Sequence, residues 1–208
     1  MGRRKMALAI VKQEEPAKAL LRLDLACGQR KTEGYTGVDK ASAPGVDVIH
    51  DLRQLPWPFE NESVEHVTCS HFVEHLDGYE RAGFLSELYR ILAFATEPTN
   101  PQSLMGKASL VFPYYTSSRA VQDFTHKWPP LCEQSFLYSN KAWREQNGLT
   151  HGDYELMKCD FDWTYGYAVP QDIALKNDEY RAMAIRHYNN AVDDLQVFLI
   201  KTLRPPGA

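Results

Sequence analysis

The 208-residue chain has no apolar run approaching the roughly 20 residues that a membrane-spanning helix needs, which argues against a membrane protein. It has no C-x-x-C pair either. Cys27, Cys69, Cys132 and Cys159 are scattered, so they read as reduced thiols of a cytoplasmic protein rather than as a disulfide framework. An excess of one charge is missing too: the net charge of −4 sets up no global field toward nucleic acid or an anionic membrane, leaving only a local basic patch for such partners. No internal repeat and no low-complexity tract occurs. The opening MGRRKMALAIVKQEEP has basic residues and a brief apolar patch but no secretory cleavage site, so residues 1–19 are expected to form a flexible extension. What is present is ordinary for a globular protein, with 44% apolar and 24% charged residues, and residues 20–208 are long enough for one domain with a substantial core.

Short apolar stretches alternate with helical ones. LLRLDLA (20–26), YTGV (35–38), VDVI (46–49), VEHVTC (64–69) and ASLVF (108–112) predict five strands. The proline-punctuated PWPFENES (56–63) predicts a loop. In YERAGFLSELYRIL (79–92), Phe84, Leu85, Leu88, Ile91 and Leu92 recur at helical spacing and predict an amphipathic helix. Further helices are expected near 133–146 and over 171–189, a β-like segment over 160–169 and a last strand over 195–203. Alternation of this kind implies an α/β fold with a mainly parallel sheet and helices on both faces. Ligands of such sheets bind at the carboxyl ends of the strands.

Acidic residues collect at those ends. The first strand delivers Asp24 and then Ala26-Cys27-Gly28, a small-residue turn in which Gly28 takes a positive φ without steric cost; a turn after any buried strand has the same look. Asp39 ends the second strand, where a carboxylate accepts both hydroxyls of a ribose or stands as an exposed turn residue. Asp51 follows the third strand beside Leu52, which suits an adenine amino group and ring face, or a cap. Three acidic strand ends in succession after a small-residue turn favour the ligand reading.

LDLACGQRK (23–31), GYTGVDK (34–40), HDL (50–52), PWPFENESVEHVTCSHFVEHL (56–76) and ELYRIL (87–92) together resemble the class I S-adenosylmethionine-dependent methyltransferases, more narrowly the small bacterial and phage type. The likeness covers residues 20–114, loosens over 122–139 and thins beyond. It implies a Rossmann-like methyltransferase domain: a mostly parallel seven-stranded sheet, an antiparallel last strand, a cofactor-binding half over 20–114 and a substrate-facing half over 115–208. It implies that S-adenosyl-L-methionine is bound and leaves as S-adenosyl-L-homocysteine. On this resemblance Asp24, Ala26, Cys27 and Gly28 wrap the methionine part, Asp39 with the following Lys40 takes the ribose, Asp51 and Leu52 take adenine, and Ser70 and His71 lie near the sulfonium. The family has glycine where Ala26 stands, and the stretch from Gly28 to Tyr35 is too short for its usual first helix. AFATEPTNPQSLMGK (93–107) lacks the family's Lys-Pro-Gly-Gly-type turn, so this loop is expected to be particular to this chain.

HFVEH (71–75) also matches H-x-x-E-H, the inverted zinc-protease signature. That chemistry needs both histidines on one regular helix, whereas VEHVTC predicts a strand running into His71 and Leu76-Asp77-Gly78 ends the turn at once. A zinc hydrolase is therefore disfavoured and no metal is expected. His71 stands where an acceptor would approach and is a candidate to orient or deprotonate it, while Glu74 and His75 read as braces of the loop. Asp123 and His126 in QDFTHKW are the next acceptor-facing candidates, against the alternative of a plain surface loop. Tyr114, Tyr115, Trp128 and Tyr138 suit stacking on a flat acceptor or bracing of a long loop. Nucleic-acid acceptors are not favoured: Ser70-His71-Phe72-Val73 lacks the Pro-Pro-aromatic tetrad of amino-methylating DNA enzymes, and no cysteine follows a proline. A small molecule, a sugar or a protein side chain remains as acceptor, and a non-catalytic fold member acting as a regulatory or structural partner is the alternative reading. Oligomeric state is not readable.

Overall fold

The computed structural model describes residues 19–203; apart from Ala19, the expectation of an N-terminal extension falls outside them. Seven strands form one sheet: β1 Leu21–Leu25, β2 Thr36–Asp39, β3 Val48–Ile49, β4 Val64–Ser70, β5 Lys107–Pro113, β6 Asp162–Ala168 and β7 Asp194–Ile200. Their order is β3-β2-β1-β4-β5-β7-β6. The pairs from β3 through β5 are all parallel, and β7 runs antiparallel to both β5 and β6. The last strand is therefore antiparallel, as predicted. The chain order reverses between β1 and β4, which places a topological switch point at their carboxyl ends.

Apolar content explains the central strands. Leu23, Leu25, Val67, Ala108 and Leu110 have no exposed surface and belong to one core cluster extending to Val197 and Leu199. Helix α1 (Gly78–Ile91) packs Phe84, Leu85, Leu88 and Ile91 into that core. Its start is fixed by a capping box, in which Asp77 accepts from the Tyr79 and Glu80 N–H groups and Glu80 accepts from the Asp77 N–H. No helix joins β1 to β2; the chain returns through turns, and Gly37 lets β2 pass close to residue 45. A Cβ at Gly37 would lie 2.2 Å from the Gly45 carbonyl oxygen.

Several boundaries differ from the sequence reading for local reasons. Val46 and Asp47 do not join β3, because the Asp47 carboxylate accepts the Gly37 N–H at 2.7 Å and the Lys31 ammonium at 2.8 Å. The segment expected as a helix near 133–146 is a 3-10 stretch, Glu133–Ser139, followed by α3 (Lys141–Gln146), because the Asn140 side chain caps a new start at Trp143. The long helix expected over 171–189 is two pieces, α4 (Gln171–Ala174) and α5 (Asp178–His187), parted where Asn177 accepts the Tyr180 N–H. A short helix α2 (Arg119–Gln122) follows β5. The 93–107 loop is tied down by hydrogen bonds from Ala93 to Val64, from Ala95 to Lys201 and from Gly106 to Glu65. All four cysteines are free, and among the described residues no helix is long and apolar enough to cross a membrane.

Candidate functional site

A cleft of about 620 Å³ opens at the carboxyl ends of the parallel strands. Each of the first five strands contributes to its wall. Ala26 follows β1, Asp39 ends β2 and Lys40 follows it, and His50, Asp51, Leu52 and Arg53 follow β3. Phe72 and His75 come from the turn after β4, and Phe124, Thr125 and Lys127 from the segment after β5. The volume lies within the range of small-molecule sites, about 300–1,000 Å³.

Local hydrogen bonds hold these groups in place. The Asp39 carboxylate accepts the Gly28 N–H at 3.0 Å and the Ala41 N–H at 3.1 Å, which fastens the turn after β1 to the tip of β2. Both Ala26 and Gly28 adopt a left-handed backbone, with φ of 55° and 53°. Asp51 accepts the Arg53 N–H at 3.0 Å, and the Trp57 indole donates to the Leu52 carbonyl at 3.0 Å. Arg53 lies over the Phe72 ring at 5.5 Å and donates to the His75 carbonyl at 3.3 Å, bridging the segments after β3 and β4.

Of the cofactor residues expected from the sequence, Ala26, Asp39, Lys40, Asp51 and Leu52 share this cleft; Asp24, Cys27, Gly28, Ser70 and His71 are not in its wall. Asp24 is buried and turns its carboxylate to the Thr32 N–H at 2.7 Å, bracing the return from β1. Gly28 acts through its bond to Asp39. Burial, aided by the Asp24 and Asp39 charges, raises the Cys27 thiol above its ordinary pKa.

His71 stands just beyond β4 with a left-handed φ of 54°. Its Nδ1 lies 3.3 Å from Glu74 Oε1 and its Nε2 lies 4.0 Å from Asp194 Oδ2, whose carboxylate also takes a 2.8 Å bond from Arg119. The hydrogen bond to Glu74 raises the His71 pKa above its usual value, against partial burial. Asp123 and His126 come to the same region from the segment after β5. Asp123 Oδ1 accepts the Thr125 hydroxyl at 2.7 Å and Thr125 N–H at 2.8 Å, which lower its pKa. The His126 and His75 rings meet edge to face at 4.8 Å. The Lys127 N–H donates to the Glu74 carbonyl at 2.8 Å, and Arg81 donates to the carbonyls of Val73, Lys127 and Pro129. The segment after β5 is thereby fastened to the turn after β4.

The aromatic candidates separate. Tyr114 is buried edge-on between Tyr115 and Tyr167, and its hydroxyl donates to Glu133 at 3.4 Å. Tyr138 stacks on Tyr154 at 6.0 Å, and Tyr115 and Trp128 are exposed. Sequence reasoning passed over Arg53, Phe72, Phe124, Thr125 and Lys127 in the cleft wall. Arg53 adjoins the Asp51-Leu52 pair and Phe124 and Thr125 lie inside QDFTHKW, so the signal was adjacency to residues already singled out.

A family model described as a methyltransferase domain matches residues 11–94. No curated protein sequence matches. Among solved structures, an S-adenosylmethionine-dependent methyltransferase from Archaeoglobus fulgidus is similar, at 18% identity with a TM-score of 0.52, over 88% of this chain and 86% of that one. A chain of the complex between the Haloferax volcanii Trm112 methyltransferase activator and a putative methyltransferase is 15% identical with a TM-score of 0.50, over 90% of this chain and 84% of that one. The family model covers less than half of the chain, and the structural likeness is one of fold: the Rossmann-like methyltransferase fold that the sequence resemblance implies.

Proposed function

We propose that this chain, built on the class I methyltransferase fold, is an S-adenosylmethionine-dependent methyltransferase whose acceptor is a small molecule, a sugar or a protein side chain. The observation that carries the reading is the cleft itself: residues following five parallel strands meet at one rim, with two carboxylates, Asp39 and Asp51, in its wall. Asp39 is the ribose acceptor and Asp51 with Leu52 the adenine pocket, while the turn from Ala26 to Gly28 approaches the methionine part. Bound there, S-adenosylmethionine supplies an electrophilic methyl group and leaves as S-adenosylhomocysteine. The task left to the protein is to align an acceptor in line with that methyl group and to exclude water. Phe124 and Thr125 line the cleft from the segment after β5. His71, Asp123 and His126 are assigned to meet the acceptor, His71 as the group that receives a proton where the acceptor must lose one.

Residues 20–114 form the cofactor half and 115–208 the acceptor half, with Phe124 to Lys127 reaching back over the cofactor. The net charge of −4 supports a non-nucleic acceptor, and the free cysteines suit the cytoplasm. Calorimetry with S-adenosylmethionine, paired with detection of S-adenosylhomocysteine across a panel of amine, hydroxyl and thiol acceptors, tests the assignment. Binding with turnover on a member of the panel is the expected result. Binding without turnover on any acceptor points to a regulatory fold member, and no binding removes the reading.

A further inference from the structure

Glu74, His75 and His126 each place a ligand-type atom within 4.8 Å of the other two, although His126 comes from a different loop. Glu74 is 6% exposed; its Oε1 receives the His71 ring at 3.3 Å, and its Oε2 is buried without a hydrogen-bond partner. A buried carboxylate oxygen lacking a donor is costly, and a cation relieves that cost directly. The two imidazoles are set up in a complementary way. His126 Nδ1 lies 3.0 Å from the Ala120 carbonyl, which only accepts, so Nδ1 carries the proton and Nε2 keeps its lone pair. His75 Nδ1 lies 2.9 Å from the Thr125 hydroxyl, whose own proton goes to Asp123, so His75 also donates from Nδ1 and keeps Nε2 free. Metal-binding histidines are oriented by such Nδ1 bonds to carbonyl and carboxylate-linked partners.

We propose that Glu74, His75 and His126 form a site for one divalent transition-metal ion, Zn²⁺ being the best fit. Two imidazoles and one carboxylate are a recognised zinc donor set, which leaves a fourth position for water or an oxygen- or sulfur-bearing ligand. Donors held about 2.1 Å from a tetrahedral ion sit about 3.4 Å apart, so the three groups close in by up to about 1.4 Å on binding. The assignment departs from the H-x-x-E-H pattern and from the expectation that no metal binds. His71 is taken up by Glu74 and excluded, and His126 takes its place. Because His75 and Thr125 also line the cleft, the ion would stand in its wall. The site does not depend on the methyl-transfer reading; an ion on His126 Nε2 replaces the acceptor contact assigned above to that ring.

The test uses the untagged full chain, stripped with a chelator and titrated with Zn²⁺ against a chromophoric competitor, then with Co²⁺ read by its visible absorption. One equivalent of Zn²⁺ and the intense bands of low-coordinate Co²⁺ are expected. Glu74→Gln and His126→Ala should each weaken Zn²⁺ binding at least 100-fold, Thr125→Val about 10- to 100-fold, and His187→Ala not at all. Should Glu74→Gln fail to fold, His126→Ala decides, since His126 lies on a loop whose neighbours on both sides are exposed. Absence of stoichiometric Zn²⁺, or undiminished affinity in His126→Ala, overturns the site. S-adenosylmethionine binding measured on the same metal-free protein keeps failure of the metal site separate from failure of the cofactor reading.

Discussion

Ala26 holds a φ of 55° at the tip of β1, and His71 holds 54° at the tip of the neighbouring strand β4. A left-handed backbone costs a residue with a Cβ roughly 1–2 kcal/mol, and such positions gather where a binding surface dictates the chain path. At Ala26 the cost is avoidable, because glycine adopts that conformation freely, although it also loses more entropy on folding. Ala26→Gly is therefore expected to raise unfolding free energy by up to about 1 kcal/mol, measured by urea denaturation, without weakening cofactor binding. A variant less stable than the parent would mean that the alanine methyl makes packing contacts that outweigh its strain. The residue-scale signal was present in the sequence, since the family that the sequence resembles has glycine where Ala26 stands. The strain at His71 left no such trace, because a histidine after a strand reads as unremarkable until its φ is known.

At the scale of elements, β4 carries a titrating group away from the cleft. His66 is 7% exposed, its Nδ1 lies 2.9 Å from the Tyr35 hydroxyl, and Arg22, Glu65 and Lys107 stand around it. Burial first, then the Arg22 charge, lowers its pKa from 6.5 to about 4. A depressed histidine folds neutral, so its contribution is complete above pH 6.5 and is lost as the pH falls from 6.5 toward 4. Such a shift corresponds to about 3 kcal/mol at its limit. Between pH 7.5 and 4.5 the parent should lose about 2–3 kcal/mol more than His66→Gln, read from denaturation midpoints at each pH. Parallel loss in both proteins would remove His66 from the acid response. The existence and order of the main elements were legible from apolar period and strand length, as β1, β4, α1 and β5 show. Their ends were less so, because Asn140, Asn177 and Asp47 decide them through side-chain hydrogen bonds whose partners are set by the folded chain.

For the molecule as a whole, the cleft is a junction of segments far apart in sequence. Asp39 and Asp51 were legible because a strand announces its own end, whereas Phe124, Thr125 and Lys127 reach the cleft only because Arg81 and the Glu74 carbonyl tie their segment to the turn after β4. No local pattern encodes that contact. A ligand bridging such a junction must stabilise the fold by mass action, and at one hundred times its dissociation constant the gain is about 2.7 kcal/mol. For a chain of this size that corresponds to a rise in melting temperature of roughly 5–10 °C with S-adenosylmethionine. Asp39 also holds the Gly28 and Ala41 N–H groups, so Asp39→Ala lowers the melting temperature of the free protein as well. The informative quantity is the ligand-induced shift rather than the temperature itself. Loss of the ribose hydrogen bonds should weaken binding about tenfold, which at the same ligand concentration leaves about 1.4 kcal/mol and halves the shift. An equal shift in the parent and in Asp39→Ala, measured by scanning fluorimetry at matched ligand, would take Asp39 out of the cofactor site and leave it as the clasp between β1 and β2.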